Sequence, residues 1–345
     1  TSDSPPLAAR MDSTRAPVAF GRWAVPLLFG QLQQPQAAGR LRTLAALCDL
    51  LHDPERLQQT VTGGFLEQLP ALLTDEDASV RTRTCELLHL VTAHSVGRQA
   101  LLTSSVLPPL SRLLDDSSAS CRTSVLRVLT RLALLPAGGA AVLGLVPKLM
   151  LKLQQQDDED HVDEEVLLLS AVGRCSRLDA RPALASDGVS VLGRKLSRRS
   201  PDVRREAAAA MMALSVPVDG KRQVCEGAGL PVLVGLLQDD DVEVQTNAAG
   251  VIMNTVIITT GKLQCLELDV VPVLLDLLSR QPEEDVRTKA LLVYSLRALT
   301  ALAEAPDGRR LLLQQLPLLA RRAEARDPDV RRAAQTAVRV VTWTP

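Results

Sequence analysis

The stretch LPVLVGLLQDDDVEVQTNAAGVIMNTVIITTGK, residues 230–262, reads as one complete structural unit. Pro231 sits where a helix begins, a place at which its missing N–H costs nothing. Leu233, Val234, Leu236 and Leu237 then recur at helical spacing. Asp239–Asp241 break the pattern and supply a capping carboxylate for a second helix. That helix carries an apolar stripe of Val244, Ala248, Val251, Ile252 and Thr255, and Gly261 reads as its C-terminal stop.

The rest of the chain is mostly variation on this unit. An aliphatic residue followed by Pro and helically spaced leucines appears at Val25-Pro26, Leu69-Pro70, Leu107-Pro108, Val146-Pro147, Leu230-Pro231, Val271-Pro272 and Leu316-Pro317. Val189-Ser190 is a copy that has lost its proline. A Val-Arg step follows many of them, at Val80-Arg81, Val203-Arg204, Val286-Arg287 and Val330-Arg331. The markers lie 38 to 45 residues apart. That period, with two or three helices per unit, is the signature of armadillo and HEAT repeats. A Gly-Arg or Gly-Lys step before a short first helix (Gly97-Arg98, Gly220-Lys221, Gly261-Lys262, Gly308-Arg309) and the third-helix text NAAGVIMN at 247–254 resemble the armadillo form. The expected fold is therefore all-α: a right-handed superhelical armadillo solenoid of about eight repeats. It would occupy residues 19–345, behind a flexible tail at 1–18.

Composition agrees with stacked helices. Hydrophobic residues make up 46% of the 345 and aromatics only 2%, so the core is built of Leu, Val and Ala. A net charge of −1 supplies no global attraction to nucleic acid or an anionic membrane. The longest uncharged apolar run, between Arg131 and Lys148, is short of the roughly 20 residues that span a bilayer. Residues 1–17 lack the basic start and apolar segment of a secretory signal. Cys48, Cys85, Cys121, Cys175, Cys225 and Cys265 fall about once per repeat, with no close pair, inside apolar text. They read as reduced packing residues of an intracellular protein.

At the ends, Leu41–Leu51 is expected as the second helix of an N-terminal unit that Pro54 terminates. Asp327–Val341 is expected as a last third helix whose Arg331, Arg332 and Arg339 form a polar outer face. The fourth unit departs from the pattern. There DDEDHVDEE at 157–165 reads as a longer acidic loop, either a solvated turn or a dock for a basic partner.

Catalytic signatures are missing. Gly227-Ala228-Gly229 is followed by Val232 where a dinucleotide loop needs glycine, and neither GxxxxGK[ST] nor GxSxG occurs. His89 and His94 are five apart rather than on the i, i+4 ledge of a zinc helix. His161 lies among carboxylates without further ligands. The reading is of a non-enzyme with no metal and no cofactor.

Binding remains. In armadillo stacks the third helices line a groove, and karyopherin-α relatives clamp a peptide backbone with a ladder of Trp and Asn four residues apart. Here Asn254 occupies the ladder position, but Gly250 precedes it. The equivalent pairs are Glu86 and Leu90, Arg127 and Arg131, Ala209 and Ala213, and Arg297 and Ala301. The sequence holds only Asn247 and Asn254 as asparagines and only Trp23 and Trp343 as tryptophans, so that ladder cannot be built. Arg127 and Arg131 share a helix face and could clamp a carboxylate-bearing segment, or pair with Glu86 of the preceding unit. Arg127, Arg131, Asn254 and Arg297 are the candidate protein-binding residues.

A narrower resemblance is carried by AFGRWAVPLL (19–28), ALCDLLHDPE (46–55), HSVGR (94–98), GKRQVC (220–225), NAAGVIMNTVIITTGK (247–262), LAEAPDGR (302–309) and the ending Trp343-Thr344-Pro345. In this order they resemble the armadillo-repeat radial spoke proteins of motile cilia. The acidic segment and the arginine-rich last unit depart from that likeness. The resemblance implies a structural subunit of the axonemal radial spoke in the cytoplasm and cytoskeleton of cilia and flagella. Its partners would be other radial spoke subunits, with no nucleic acid, membrane or small-molecule substrate. The alternative is a soluble adaptor that binds peptide motifs in its groove.

Overall fold

The computed structural model describes residues 21–156, 161–227, 229–280 and 286–343. The expected tail at 1–18 and the final Thr344-Pro345 lie outside them. Every regular element among the described residues is helical. The chain packs as two compact units, dividing between Val142 and Leu143. In the first, the third helices Ala37–Leu50, Ala78–Val91 and Ala119–Leu132 stack in order. In the second, the stack runs through Val162–Ser176, Pro201–Leu214, Val242–Thr255, Lys289–Leu302 and Pro328–Val341. Among the described residues that makes eight third helices, three in the first unit and five in the second, in line with the expected number of repeats.

Each repeat is assembled by the residues that mark it. Proline stands at the N-terminus of the second helix, as at Leu69–Leu72, Leu107–Leu113 and Val146–Gln155. The turn before the third helix then ends on a capping side chain. Asp77 accepts from the Ser79 amide, Ser118 from Cys121, Ser200 from Val203, and Asp241 from Glu243 and Val244. The third helix buries its stripe; Val244, Ala248, Val251, Ile252 and Thr255 all lie at 0% exposure. At about 25 cal/mol for each Å² of apolar surface removed from water, such stripes are what hold neighbouring repeats together.

The arginine of the Val-Arg step does two jobs. Arg81 Nη1 donates to the carbonyls of Asp75 and Glu76 in its own turn, at 2.8 and 3.0 Å. Its Nε and Nη2 fork onto Asp116 of the next repeat, at 2.7 and 3.1 Å. Arg40 repeats the arrangement with Gln34, Pro35 and Asp75, and Arg204 with Arg198, Arg199 and Asp239. One guanidinium thus satisfies a turn and bridges to the following copy.

The Gly-Arg step corrects the reading of Gly261 as a stop. The third helix ends at Thr255, and Gly261 lies in the first turn of the next helix, Thr259–Glu267. A Cβ there would collide with the Thr255 carbonyl oxygen, as one at Gly220 would with that of Leu214. Glycine lets the first helix cross directly over the end of the preceding third helix. The cation beside it then reaches the carbonyls left open there: Arg98 donates to Thr92 and Ala93, Lys221 to Val216, and Arg309 to Ala303.

Three other expectations change. The first third helix is Ala37–Leu50, and Pro54 opens the next helix rather than closing this one, with Asp53 as its cap. In the last repeat Arg332 and Arg339 are exposed, but Arg331 is half-buried and donates to the Ala325 carbonyl. The acidic segment is only partly a loop. Residues 157–160 lie outside the described residues, yet Val162–Ser176 is helix, and Glu164 and Glu165 are 4% and 2% exposed. Glu165 meets the ammonium of Lys195, itself 2% exposed, at 2.8 Å and Arg198 at 3.3 Å. Both cations also donate to the Gln156 carbonyl.

All six cysteines are free thiols. Stacking brings together thiols that are distant in sequence: Cys85 and Cys121, on neighbouring third helices, share a hydrogen bond. It pushes the Cys85 thiol well above its ordinary pKa and draws that of Cys121 down. Burial, with a lesser contribution from the neighbouring Cys225, pushes Cys265 up to about 12.

Candidate protein-binding surface

The outward side of the third helices carries the candidate residues, and the two units present them differently. In the first, the Arg127 side chain is exposed and has no hydrogen-bond or ion-pair partner among the described residues. Arg131, one turn on, is half-buried, and its Nη1 donates to the His89 carbonyl of the preceding repeat at 3.0 Å. Neither bridges to Glu86, which pairs with Arg83 on its own helix at 2.8 Å. The two arginines therefore do not form a matched clamp: Arg127 is available, while Arg131 is a stacking residue. Burial and the Arg131 charge hold the His89 imidazole below its ordinary pKa. Nearby, Ser79, Thr82, Arg83, Glu86, Ser118 and Ser120 line a polar hollow of about 430 Å³.

In the second unit Asn254 is half-buried, and its amide donates to the Met212 carbonyl at 3.3 Å and the Ser215 hydroxyl at 3.0 Å. Asn247 does the same one repeat-face lower, to the Arg205 carbonyl at 3.2 Å. Both asparagines tie adjacent third helices together. Arg297 is exposed, without a side-chain partner among the described residues.

Two clefts lie on this unit's third-helix face. The polar one, about 260 Å³, is bordered by Arg174, Arg177, Arg205, Glu206, Asn247 and Arg287. Arg205 there is engaged with Asp241 at 2.5 Å and Asp202 at 2.7 Å, and its hydrogen bond holds the Asp241 carboxyl below the usual carboxylate range. The other cleft, about 560 Å³, is mainly apolar, lies across the C-terminal ends of Val162–Ser176, Pro201–Leu214 and Val242–Thr255, and reaches Tyr294 in the first half of Lys289–Leu302. Met212, Ala213, Met253, Asn254 and Tyr294 form part of its lining. Arg177 borders both.

The sequence reading named Asn254 from this cleft and passed over the rest. The signal was present in the second residue beyond five of the eight described third helices. Leu134, Leu178, Val216, Ile257 and Trp343 stand there, each between 49% and 62% exposed. Large apolar residues kept in a turn at one repeat spacing are a surface pattern, not a core one. Among the described residues no three His, Cys, Asp or Glu side chains converge as a metal site would require.

Comparison with known proteins follows the same boundaries. Residues 218–254 match the family model of the armadillo/beta-catenin-like repeat. They contain the helices Val218–Glu226 and Gly229–Leu236 and nearly all of Val242–Thr255. The fold is similar to that of an engineered protein at a TM-score of 0.76, with 21% identity, covering 93% of this chain and 89% of that one. It is also similar to the designed armadillo repeat protein YIII(Dq)4CqI, at 0.61 and 20% identity over 67% of this chain and 99% of that one. A third similar structure, again at 0.61, is the designed armadillo repeat protein YIII(Dq.V1)4CPAF in complex with the peptide (KR)4. Its identity is 21%, over 67% of this chain and 99% of that one. The repeat matched at 218–254, with the stacked third helices of each unit, shows the armadillo-repeat fold.

Proposed function

We propose that this chain is a non-enzymatic scaffold whose third-helix faces hold segments of partner proteins. The observation that carries the proposal is the pair of clefts on the second unit, with exposed Leu178 and Val216 beside the apolar one and Arg177, which has no ion-pair partner among the described residues, between them. Exposed apolar side chains maintained in register on a rigid surface are useful when something covers them. A designed armadillo repeat protein of similar fold is in complex with a peptide, which supports the same use of the face here. That peptide, (KR)4, is basic, and the arginines along this face would repel it.

Within that class we propose a structural subunit of the axonemal radial spoke, located in the cytoskeleton of motile cilia and flagella and bound to other spoke subunits. The motif-by-motif resemblance from 19–28 to 343–345 supports this placement. A soluble adaptor for linear peptide motifs is the second reading, favoured by the size of the apolar cleft. Locating the tagged protein in multiciliated cells or sperm, before and after detergent extraction, separates the two. Retention along the axoneme at radial spoke spacing is expected; a signal that washes out overturns the spoke assignment and leaves the adaptor.

A further inference from the structure

We infer that the apolar cleft on the second unit takes a protein segment pairing a large apolar side chain with a nearby carboxylate, and that Arg177 reads the carboxylate. The inference rests on the protein-binding reading above and adds the chemistry of the partner.

Three observations carry it. Met212, Met253 and Tyr294 come from three successive third helices and form an apolar floor, with exposed Val216 and Leu178 at its rim. Methionines supply an adaptable surface that accepts side chains of several shapes. Second, the charges at the rim are not balanced. Asp179 and Arg181 are paired with each other at 2.8 Å, and Arg177 is exposed with no ion-pair partner among the described residues. The cleft therefore offers one uncommitted positive charge beside an apolar hollow, which favours an anionic group on the incoming segment and disfavours a cationic one. Third, Ser176 is 4% exposed, lies in the lining, and its buried Oγ has no hydrogen-bond partner among the described residues. A buried hydroxyl left unsatisfied is costly, and a backbone amide or carbonyl of a seated segment would satisfy it.

Packed helices lie about 8–10 Å apart, so the floor spans roughly 20 Å, about six residues of extended chain. The test uses the full chain and fluorescence anisotropy with three short fluorescein-labelled peptides. One alternates leucine with aspartate, one replaces every aspartate with lysine, and one replaces every leucine with serine. The leucine–aspartate probe should bind saturably, and the other two at least about tenfold more weakly, a difference of about 1.4 kcal/mol. Val216→Asp and Arg177→Glu change exposed side chains, so both variants should keep the wild-type melting temperature. Each should weaken the leucine–aspartate probe about tenfold, and Arg177→Glu should improve the lysine probe. Equal binding of the aspartate and lysine probes overturns the charge assignment. Binding indifferent to both variants, or no saturable binding, overturns the cleft assignment. Axonemal retention that survives Val216→Asp and Arg177→Glu would defeat this inference while leaving the scaffold reading intact.

Discussion

Arg204 and Glu165 lie on adjacent third helices of the same unit and solve the same problem in opposite ways. Arg204 is partly open to water, caps the carbonyls of its own turn, and forks onto Asp239 of the next repeat at 2.7 Å. Glu165 is fully enclosed and draws Lys195 and Arg198 of the next repeat onto itself and onto the Gln156 carbonyl. Other third helices begin their buried stripe with Val80, Cys121, Val203 or Val244, and three other second helices place Leu113, Leu236 or Leu277 where Lys195 stands, while Lys152 and the buried Arg322 hold that place in two more. A buried ion pair has thus taken the place of an aliphatic contact. The rim bridge gains from both capping and pairing at small desolvation cost, whereas the enclosed pair must recover the cost of removing two charges from water.

The contrast can be broken at its expensive end first. Glu165→Val leaves Lys195 enclosed against a carbonyl and should lower unfolding stability by about 3–5 kcal/mol. Adding Lys195→Leu should return most of it, because the aliphatic contact of the repeats that carry leucine there is then restored. Urea melts of the single and double variants check this, and equal losses in both would show that the cluster is not an exchangeable substitute for apolar packing. Arg204→Ala removes two caps and the fork together and should cost about 1–3 kcal/mol, with Arg204→Lys recovering less than half, since an ammonium cannot fork.

A smaller effect is expected from acid. The Arg205 hydrogen bond keeps the Asp241 carboxyl below the usual range, so this group stabilises the fold above the unfolded carboxylate pKa of about 3.9. That stability is lost as pH falls through the lowered folded value. Asp241→Asn retains a capping side chain but not the charge. The stability gap between wild type and Asp241→Asn should therefore be constant near neutrality and close on acidification; a gap that widens in acid would reverse the sign. Last, Arg131→Gln removes the nearby cation and should raise the titration midpoint of the His89 imidazole by NMR. Arg127→Ala should leave the melting temperature unchanged, whereas Arg131→Ala, which loses the hydrogen bond to the His89 carbonyl, should lower it slightly.

The repeat was legible because its markers report local chemistry. Proline after an aliphatic residue starts a helix wherever it occurs, and Asp241 caps one from two residues away. The acidic 161–165 was misread for the same reason: a carboxylate run is normally solvated, and only the arrival of Lys195 and Arg198 from the next repeat allows Glu165 inside. Gly261 looked like a stop because the carbonyl it makes room for belongs to the preceding helix. Of the candidate residues, Arg127 and Arg297 are exposed as a binding role requires, while Arg131 and Asn254 are engaged in stacking. The apolar cleft was invisible because its lining is drawn from several repeats, and no single segment contains it.

The arginine that ties its own turn and then reaches the aspartate of the following copy has a consequence for how such a chain can grow. Partners are separated by 35 residues at Arg40–Asp75, Arg81–Asp116 and Arg204–Asp239 alike. A gene segment one repeat long, duplicated in frame beside such a junction, carries half a bridge at each end and meets its complement on both sides. The new copy needs no compensating change. Duplicating the repeat that holds Lys195 would instead enclose a second lysine against Val203, where no carboxylate stands. Lineages can therefore lengthen or shorten this array at its arginine seams, while the acidic seam stays where it is, a fixed landmark in a ruler that is otherwise free to change length.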